Sequence, residues 1–166
     1  PRSKRSRLSS EKRYLKLARF FIDQRGIAEG RTLHGPYAQD HEPVREQSEI
    51  VGHAVRAMYM YCAMADVAAE TGDGTLLRAC ERLWTSVCER RMYVTGGIGP
   101  SRHNEGFTAD YELPNAKAYS ETCAQIGLVF SQGQPDPAHD LAAAGGRPTA
   151  PFLKPVNGAT HDRFGD

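Results

Sequence analysis

The segment REQSEIVGHAVRAMYMYCAMADVAAETG, residues 45–72, constrains the fold more than any other part of the chain. Val51, Ala54, Val55, Met58, Cys62 and Ala65 recur at helical spacing and predict one apolar stripe on a helix over 45–72. Met60, Tyr61 and Met64 make the opposite side weakly polar too. A helix that is apolar around most of its circumference must be covered from more than one direction. That requirement asks for stacked helices, and Gly72 supplies the stop.

The neighbouring segments supply such partners. DGTLLRACERLWTSVCERR (73–91) follows at once, with Leu76, Leu77, Cys80, Leu83, Trp84, Val87 and Cys88 inward. So short a link predicts an antiparallel helix pair. Upstream, SSEKRYLKLARFFIDQRG (9–26) reads as a helix capped by Ser9 or Ser10 and stopped by Gly26. Its expected apolar face is Tyr14, Leu17, Ala18 and Phe21. Residues 27–45 mix Gly, Pro, His and Asp without period and read as a loop. A fourth helix is expected over 121–130, ETCAQIGLVF, and MYVT (92–95) suits a short extended piece. The prediction is an all-α chain of four helices, the helix–loop–helix order that an α/α solenoid or barrel repeats.

The ends differ from this middle. PRSKRSR opens a basic terminus, and residues 1–10 are expected to fray, although a short basic end also suits a localisation tag or a nucleic-acid arm. From Ser131 to Asp166 there are five glycines and five prolines and no sustained apolar period, so an irregular or disordered tail is expected. Formal net charge is +1, from 21 basic and 20 acidic residues. That balance gives no electrostatic reason to expect nucleic acid or an anionic membrane as partner. No run of about 18 apolar residues predicts a transmembrane helix. No signal-peptide pattern is visible in a chain that opens on Pro1, and a cytoplasmic location is the expectation.

Between the third and fourth helices runs RMYVTGGIGPSRHNEGFT, residues 91–108, where helical periodicity stops. Glu105 lies here among glycines, beside His103 and Phe107; it is either a solvated loop carboxylate or a group presented to a pocket. Glu121 and Cys123 form the triplet ETC. Inside a regular helix, residues two apart point about 200° from one another and share no ligand. In an extended segment they share a face. At a helix start both reach one site, where the positive helix end favours carboxylate and thiolate, a donor pair that suits zinc. The alternative is a satisfied cap beside a buried thiol. His53 stands off the apolar stripe near the start of the longest helix; it is either a hydrogen-bonded interior histidine or a polar group facing a pocket. Cys62, Cys80 and Cys88 fall inside helical patterns and read as reduced core residues, since their spacing fits no CxxC pair or disulfide framework.

Taken together, REQSEIVGHAVRAMYMY, RRMYVTGGIG, EGFT and AYSETCAQIG resemble, in the same order and with compatible gaps, glycoside hydrolase family 127, the β-L-arabinofuranosidase type. The resemblance spans residues 11–130. It implies a catalytic domain built as an (α/α)6 barrel and a retaining exo-glycosidase that releases β-L-arabinofuranose from arabinosides. It implies a cysteine thiolate on zinc as nucleophile and a glutamate of the Gly-rich loop, here Glu105, as general acid/base. It makes Glu121 and Cys123 two zinc ligands and His53 a sugar-contacting residue.

The chain also departs from the family. The resemblance requires a Cys-Cys pair well downstream of ETC, carrying the nucleophile and the last zinc ligand, and no cysteine follows Cys123. Twelve barrel helices with their connections need more than about 200 residues. The expectation is therefore a partial barrel domain over 11–130 whose parent enzyme hydrolyses arabinofuranosides with zinc, while this polypeptide alone is inactive. Exposed helix faces would allow an oligomer. The competing reading is a small helical interaction module without chemistry.

Overall fold

The computed structural model describes residues 12–132. The expectations of a frayed end at 1–10, of Ser9 or Ser10 as a cap, and of a tail beyond residue 132 lie outside the described residues. The described residues form four α-helices: α1 Lys12–Gln24, α2 Ala54–Thr71, α3 Gly74–Arg90 and α4 Thr122–Gln132. Two single 3-10 turns lie at Gly35–Ala38 and Asn115–Lys117. Among the described residues β-structure is limited to isolated bridges, so the all-α expectation holds.

Helix α2 is the centre, packed against α1, α3 and α4. Ala54, Ala57, Met58, Tyr61, Cys62, Met64, Ala65, Val67 and Ala68 are all buried, so both sides of the helix are covered, as its composition demands. Its partner α3 buries Leu76, Leu77, Cys80, Leu83 and Val87. Asp73 caps α3 by accepting from the amides of Thr75 and Leu76, both at 3.1 Å. Contact with α4 is close because Gly127 faces Met58: a Cβ at 127 would lie 2.7 Å from the Met58 Cβ.

Two expectations are corrected. Helix α2 does not begin at Arg45 but at Ala54, nine residues later. Gly52 sits at φ +71°, and a Cβ there would lie 1.9 Å from the Pro36 carbonyl oxygen, so backbone crosses backbone where a helical turn was expected. Residues 45–53 are fixed instead by long-range bonds. The Ile50 amide donates to the Ser86 hydroxyl at 3.1 Å, and the buried Gln39 side chain donates to the carbonyls of Val51 and His53. Helix α1 turns inward a face that shares only Ala18 with the expected one. Ile22 is buried and Leu15 and Ala18 pack on the core, whereas Tyr14, Leu17 and Phe21 are about half or more exposed. The sequence 12–24 carries two apolar stripes, and spacing alone does not say which one meets α2.

Smaller differences concern the ends of elements. Helix α4 continues through Ser131 and Gln132, two residues past the expected boundary. Of MYVT, Met92 bridges to Ile98 and the Tyr93 amide donates to the Gly97 carbonyl; a tight turn follows, with the Gly96 amide donating to the Tyr93 carbonyl at 2.8 Å. Cys62 and Cys80 are buried free thiols as expected, while Cys88 is only half-buried. Among the described residues no helix is long and apolar enough to cross a membrane.

Candidate functional site

The Gly-rich stretch is a closed loop clamped between two other segments. Ser101 and Gly106 exchange both backbone hydrogen bonds at 3.1 Å, which closes residues 101–106 on themselves. The Phe107 amide donates to the Gly52 carbonyl at 2.9 Å, and Gly106 bridges to His53. A Cβ at residue 106 would stand 1.8 Å from the Gly52 oxygen, so only glycine permits this crossing. On the other edge the amides of Tyr119 and Ser120 donate to the carbonyls of Pro100 and Gly99, at 3.0 and 2.9 Å. The loop therefore ties the N-terminus of α2 to the segment that leads into α4. Ile98 and Phe107 anchor it in the core.

Glu105 sits at the corner of this loop with φ +50°, an uncommon conformation for a residue with a side chain. Three contacts hold it. Its carbonyl accepts from the Ala54 amide at 3.0 Å and so satisfies one of the orphan donors that begin α2. Its Oε2 is 3.1 Å from His53 Nε2. Its Oε1 accepts from the Tyr119 hydroxyl at 3.3 Å. The carboxylate remains 44% exposed while the His53 side chain is 12% exposed, so the acid reaches solvent and the imidazole beneath it does not. Burial, together with the negative charges of Glu105 and Glu121, raises the Tyr119 phenol above its usual value.

Glu121 and Cys123 straddle the start of α4. Glu121 lies just outside the helix, and its carbonyl accepts from the amides of Ala124 and Gln125. Cys123 is in the first turn with its thiol exposed. The Glu121 Oε2 is buried without a hydrogen-bond partner among the described residues, a state that suits a cation. The chemistry of the pair fits zinc, but it supplies two donors, and no group of three His, Cys, Asp or Glu side chains that could hold a metal gathers among the described residues. Zinc takes at least three protein ligands, so the pair fits as part of a metal site and not as a whole one.

The structure thus brings His53 and Glu105 into direct contact and places Tyr119 between Glu105 and the ETC triplet. Tyr119 was not singled out in the sequence, and no spacing rule pointed to it, because Ser120 between it and Glu121 takes φ +42° and breaks the alternation of an extended run. Tyr37 and Arg56 were also missed. The Tyr37 ring lies edge-on to His53 with centroids 5.6 Å apart, and the Arg56 guanidinium stacks on the Tyr37 ring at 4.9 Å. Tyr37 offered no sequence signal, while Arg56 lies one turn after His53 on the same helix face.

Two arginine clamps fix the frame, Arg91 next to the loop segment and Arg45 at the opposite end of α2. Arg91, 6% exposed in its side chain, donates through Nε to Asp110 at 2.6 Å, through one terminal nitrogen to Glu49 at 2.8 Å, and through the other to the Ile50 carbonyl. Arg45 links Asp23 at the end of α1 to Asp73 at the start of α3, at 2.5 and 2.8 Å. Burial alone would raise the Asp73 carboxyl; the hydrogen bonds from Arg45, Thr75 and the Leu76 amide prevail and hold it well below the usual carboxylate range.

Known proteins resemble this chain in family and in fold. The family model for the β-L-arabinofuranosidase GH127 catalytic domain matches residues 5–134. A non-reducing end β-L-arabinofuranosidase of Bifidobacterium longum subsp. longum is 38% identical, over 75% of this chain and 22% of its own length. Among solved structures, a GH127 β-arabinofuranosidase superposes with TM-score 0.70 at 49% identity, covering 74% of this chain and 19% of that one. A GH127 β-L-arabinofuranosidase from Geobacillus stearothermophilus T6 gives TM-score 0.70 at 48% identity, over 75% and 22% of the two chains. The chain spans about a fifth of the length of these relatives, a segment of their (α/α)6 barrel. By its family match and its fold, the chain belongs to the β-L-arabinofuranosidase family GH127, of whose catalytic domain it forms a part.

Proposed function

We propose that this chain carries the acid/base half of a retaining β-L-arabinofuranosidase site. The observation that supports it is Glu105, solvent-reaching, with one oxygen on His53 and the other on Tyr119, on the loop that runs beside ETC. An acid/base carboxyl has two tasks. It protonates the leaving glycosidic oxygen, then takes a proton from the water that completes hydrolysis. A carboxyl fixed at both oxygens yet open to solvent suits both, because its direction is set without sealing it from the sugar. His53 sits at the foot of the site, where it would contact the sugar and hold Glu105 by a charge-assisted bond.

Glu121 and Cys123 are proposed as two of the donors for zinc, which when bound keeps a cysteine deprotonated at neutral pH as the nucleophile. With no cysteine after Cys123, the same reading makes this polypeptide inactive by itself. Two assays test it. Against an aryl β-L-arabinofuranoside the chain should show no turnover above buffer, and purified chain should hold less than one equivalent of zinc. Robust turnover would refute the inactivity. A chain that binds zinc stoichiometrically and keeps it after Glu121→Ala and Cys123→Ala would refute the ligand assignment.

Exposed Tyr14, Leu17, Phe20 and Phe21 on α1, and Val129 and Phe130 on α4, favour one second reading, a helical interaction module. That reading predicts a defined oligomer and sugar binding absent before and after Glu105→Ala.

A further inference from the structure

Glu105 offers its two carboxyl oxygens to two partners of different kinds. Oε2 is 3.1 Å from His53 Nε2, and Oε1 is 3.3 Å from the Tyr119 hydroxyl. The imidazole is the less adaptable of the two. Its other nitrogen, Nδ1, is buried with no hydrogen-bond partner among the described residues. A hydrogen on Nδ1 would be a buried donor without an acceptor, and orphan donors are rarer than orphan acceptors. The hydrogen of the neutral ring therefore belongs on Nε2, where it donates to Oε2. A hydroxyl behaves differently, because it donates or accepts as its hydrogen turns about the C–O bond. Tyr119 is only half-buried, which leaves water for a hydrogen turned away from Glu105.

A carboxyl that carries a proton keeps one oxygen as a carbonyl and makes the other a hydroxyl, which is then a donor. His53, a fixed donor, claims the carbonyl oxygen, and the hydroxyl falls beside Tyr119. We propose that Glu105 gives and takes its proton through Oε1, and that Tyr119 is a positioning residue whose hydroxyl reverses its hydrogen bond at each transfer. The inference rests on the acid/base reading of Glu105. In the first half of the reaction the Oε1–H bond breaks, the proton goes to the leaving glycosidic oxygen, and the Tyr119 hydrogen turns onto the new carboxylate. In the second half water loses a proton to Oε1 as its oxygen attacks the sugar carbon, and the Tyr119 hydrogen turns away. His53 holds Oε2 throughout, so the carboxyl keeps its direction.

Glu105→Gln in the whole chain tests the assignment, because the amide mimics the acid form: its NH2 stands for the protonated oxygen and its carbonyl for the other. In side-chain NMR the amide protons should show Overhauser contacts to the Tyr119 ring rather than the His53 ring, with a preference of about fivefold to tenfold, the worth of one hydrogen bond. Adding Tyr119→Phe should leave that orientation, which His53 sets, while the amide protons lose their acceptor and exchange with water about fivefold faster. In the unmodified chain the ¹⁵N shifts of His53 should show hydrogen on Nε2 and a bare Nδ1. Amide protons that face His53, or the reverse tautomer, would overturn Oε1 as the proton-bearing oxygen. Exchange unchanged by Tyr119→Phe would overturn the role of Tyr119. The acid/base reading fails by a separate observation, Glu105 and His53 signals that stay still on adding methyl β-L-arabinofuranoside, and the catalytic use of Oε1 then falls with it.

Discussion

The helical layer and the loop frame are held by different physics. In α2 and α3 stability comes from apolar burial: Met64, Leu76, Leu83 and Val87 are at most 1% exposed. In residues 91–121 apolar burial is confined mainly to the anchors Ile98 and Phe107, and the rest comes from backbone pairs, a glycine crossing and one buried arginine. The first kind of stability is spread over many contacts and tolerates local error. The second is concentrated in a few atoms, and those atoms aim Glu105. The comparison teaches that the segment proposed to carry chemistry is the one with the fewest redundant contacts.

Substitutions separate the two. Leu83→Ala should cost about 3 to 4 kcal/mol and lower the melting of the whole helical signal, since a buried leucine leaves both its transfer energy and a cavity. Arg91→Ala should cost about 3 kcal/mol, near the lower end for a broken buried pair, because the carboxylates it leaves reach water. Its loss should appear chiefly as faster amide exchange over residues 98–111, with the α2 and α3 amides still protected. Equal loss of protection in both regions would erase the distinction.

Gly106→Ala comes next. The new Cβ has to push the Gly52 backbone away, at a cost of about 2 kcal/mol. The side-chain signals of His53 should shift as its contact with Glu105 opens. An unchanged His53 spectrum would show that the glycine crossing does not aim the acid.

The smallest effect is expected at the Asp73 cap. Asp73→Ala should cost about 1 kcal/mol at neutral pH, while Asp73→Asn keeps most of the cap. Because the folded carboxyl lies below its unfolded value of about 3.9, its ionic contribution is complete above that pH and disappears on acidification toward the folded value. The stability gap between the parent and Asp73→Asn should therefore narrow as pH falls below about 4. A gap constant from pH 7 to 3 would contradict the link to Arg45.

This division also explains what could be read from the sequence. The bounds of α3 were legible almost to the residue because Asp73 is a local cap and the leucines are local signals. The start of α2 was not, since Gly52 yields to Pro36, a partner 16 positions away that no window contains. The inward face of α1 was misread because two stripes compete and only the position of α2 decides. At the site, His53, Glu105, Glu121 and Cys123 were visible through family motifs. The meeting of His53 with Glu105 spans 52 residues, and Tyr37, Arg56 and Tyr119 enter only through that meeting.

The central claim is that the N-terminus of α2, the Glu105 loop and the start of α4 converge on one site. A spin label on Cys123, the exposed thiol among the four, addresses it most directly, with Cys62, Cys80 and Cys88 replaced by serine or alanine. The account predicts strong paramagnetic broadening of Tyr119, Glu105 and His53, and little at Asp73 and Thr75, which lie beyond the far end of the 18-residue α2, about 27 Å long. Sharp, undisturbed Glu105 and His53 resonances beside a labelled Cys123 would contradict it.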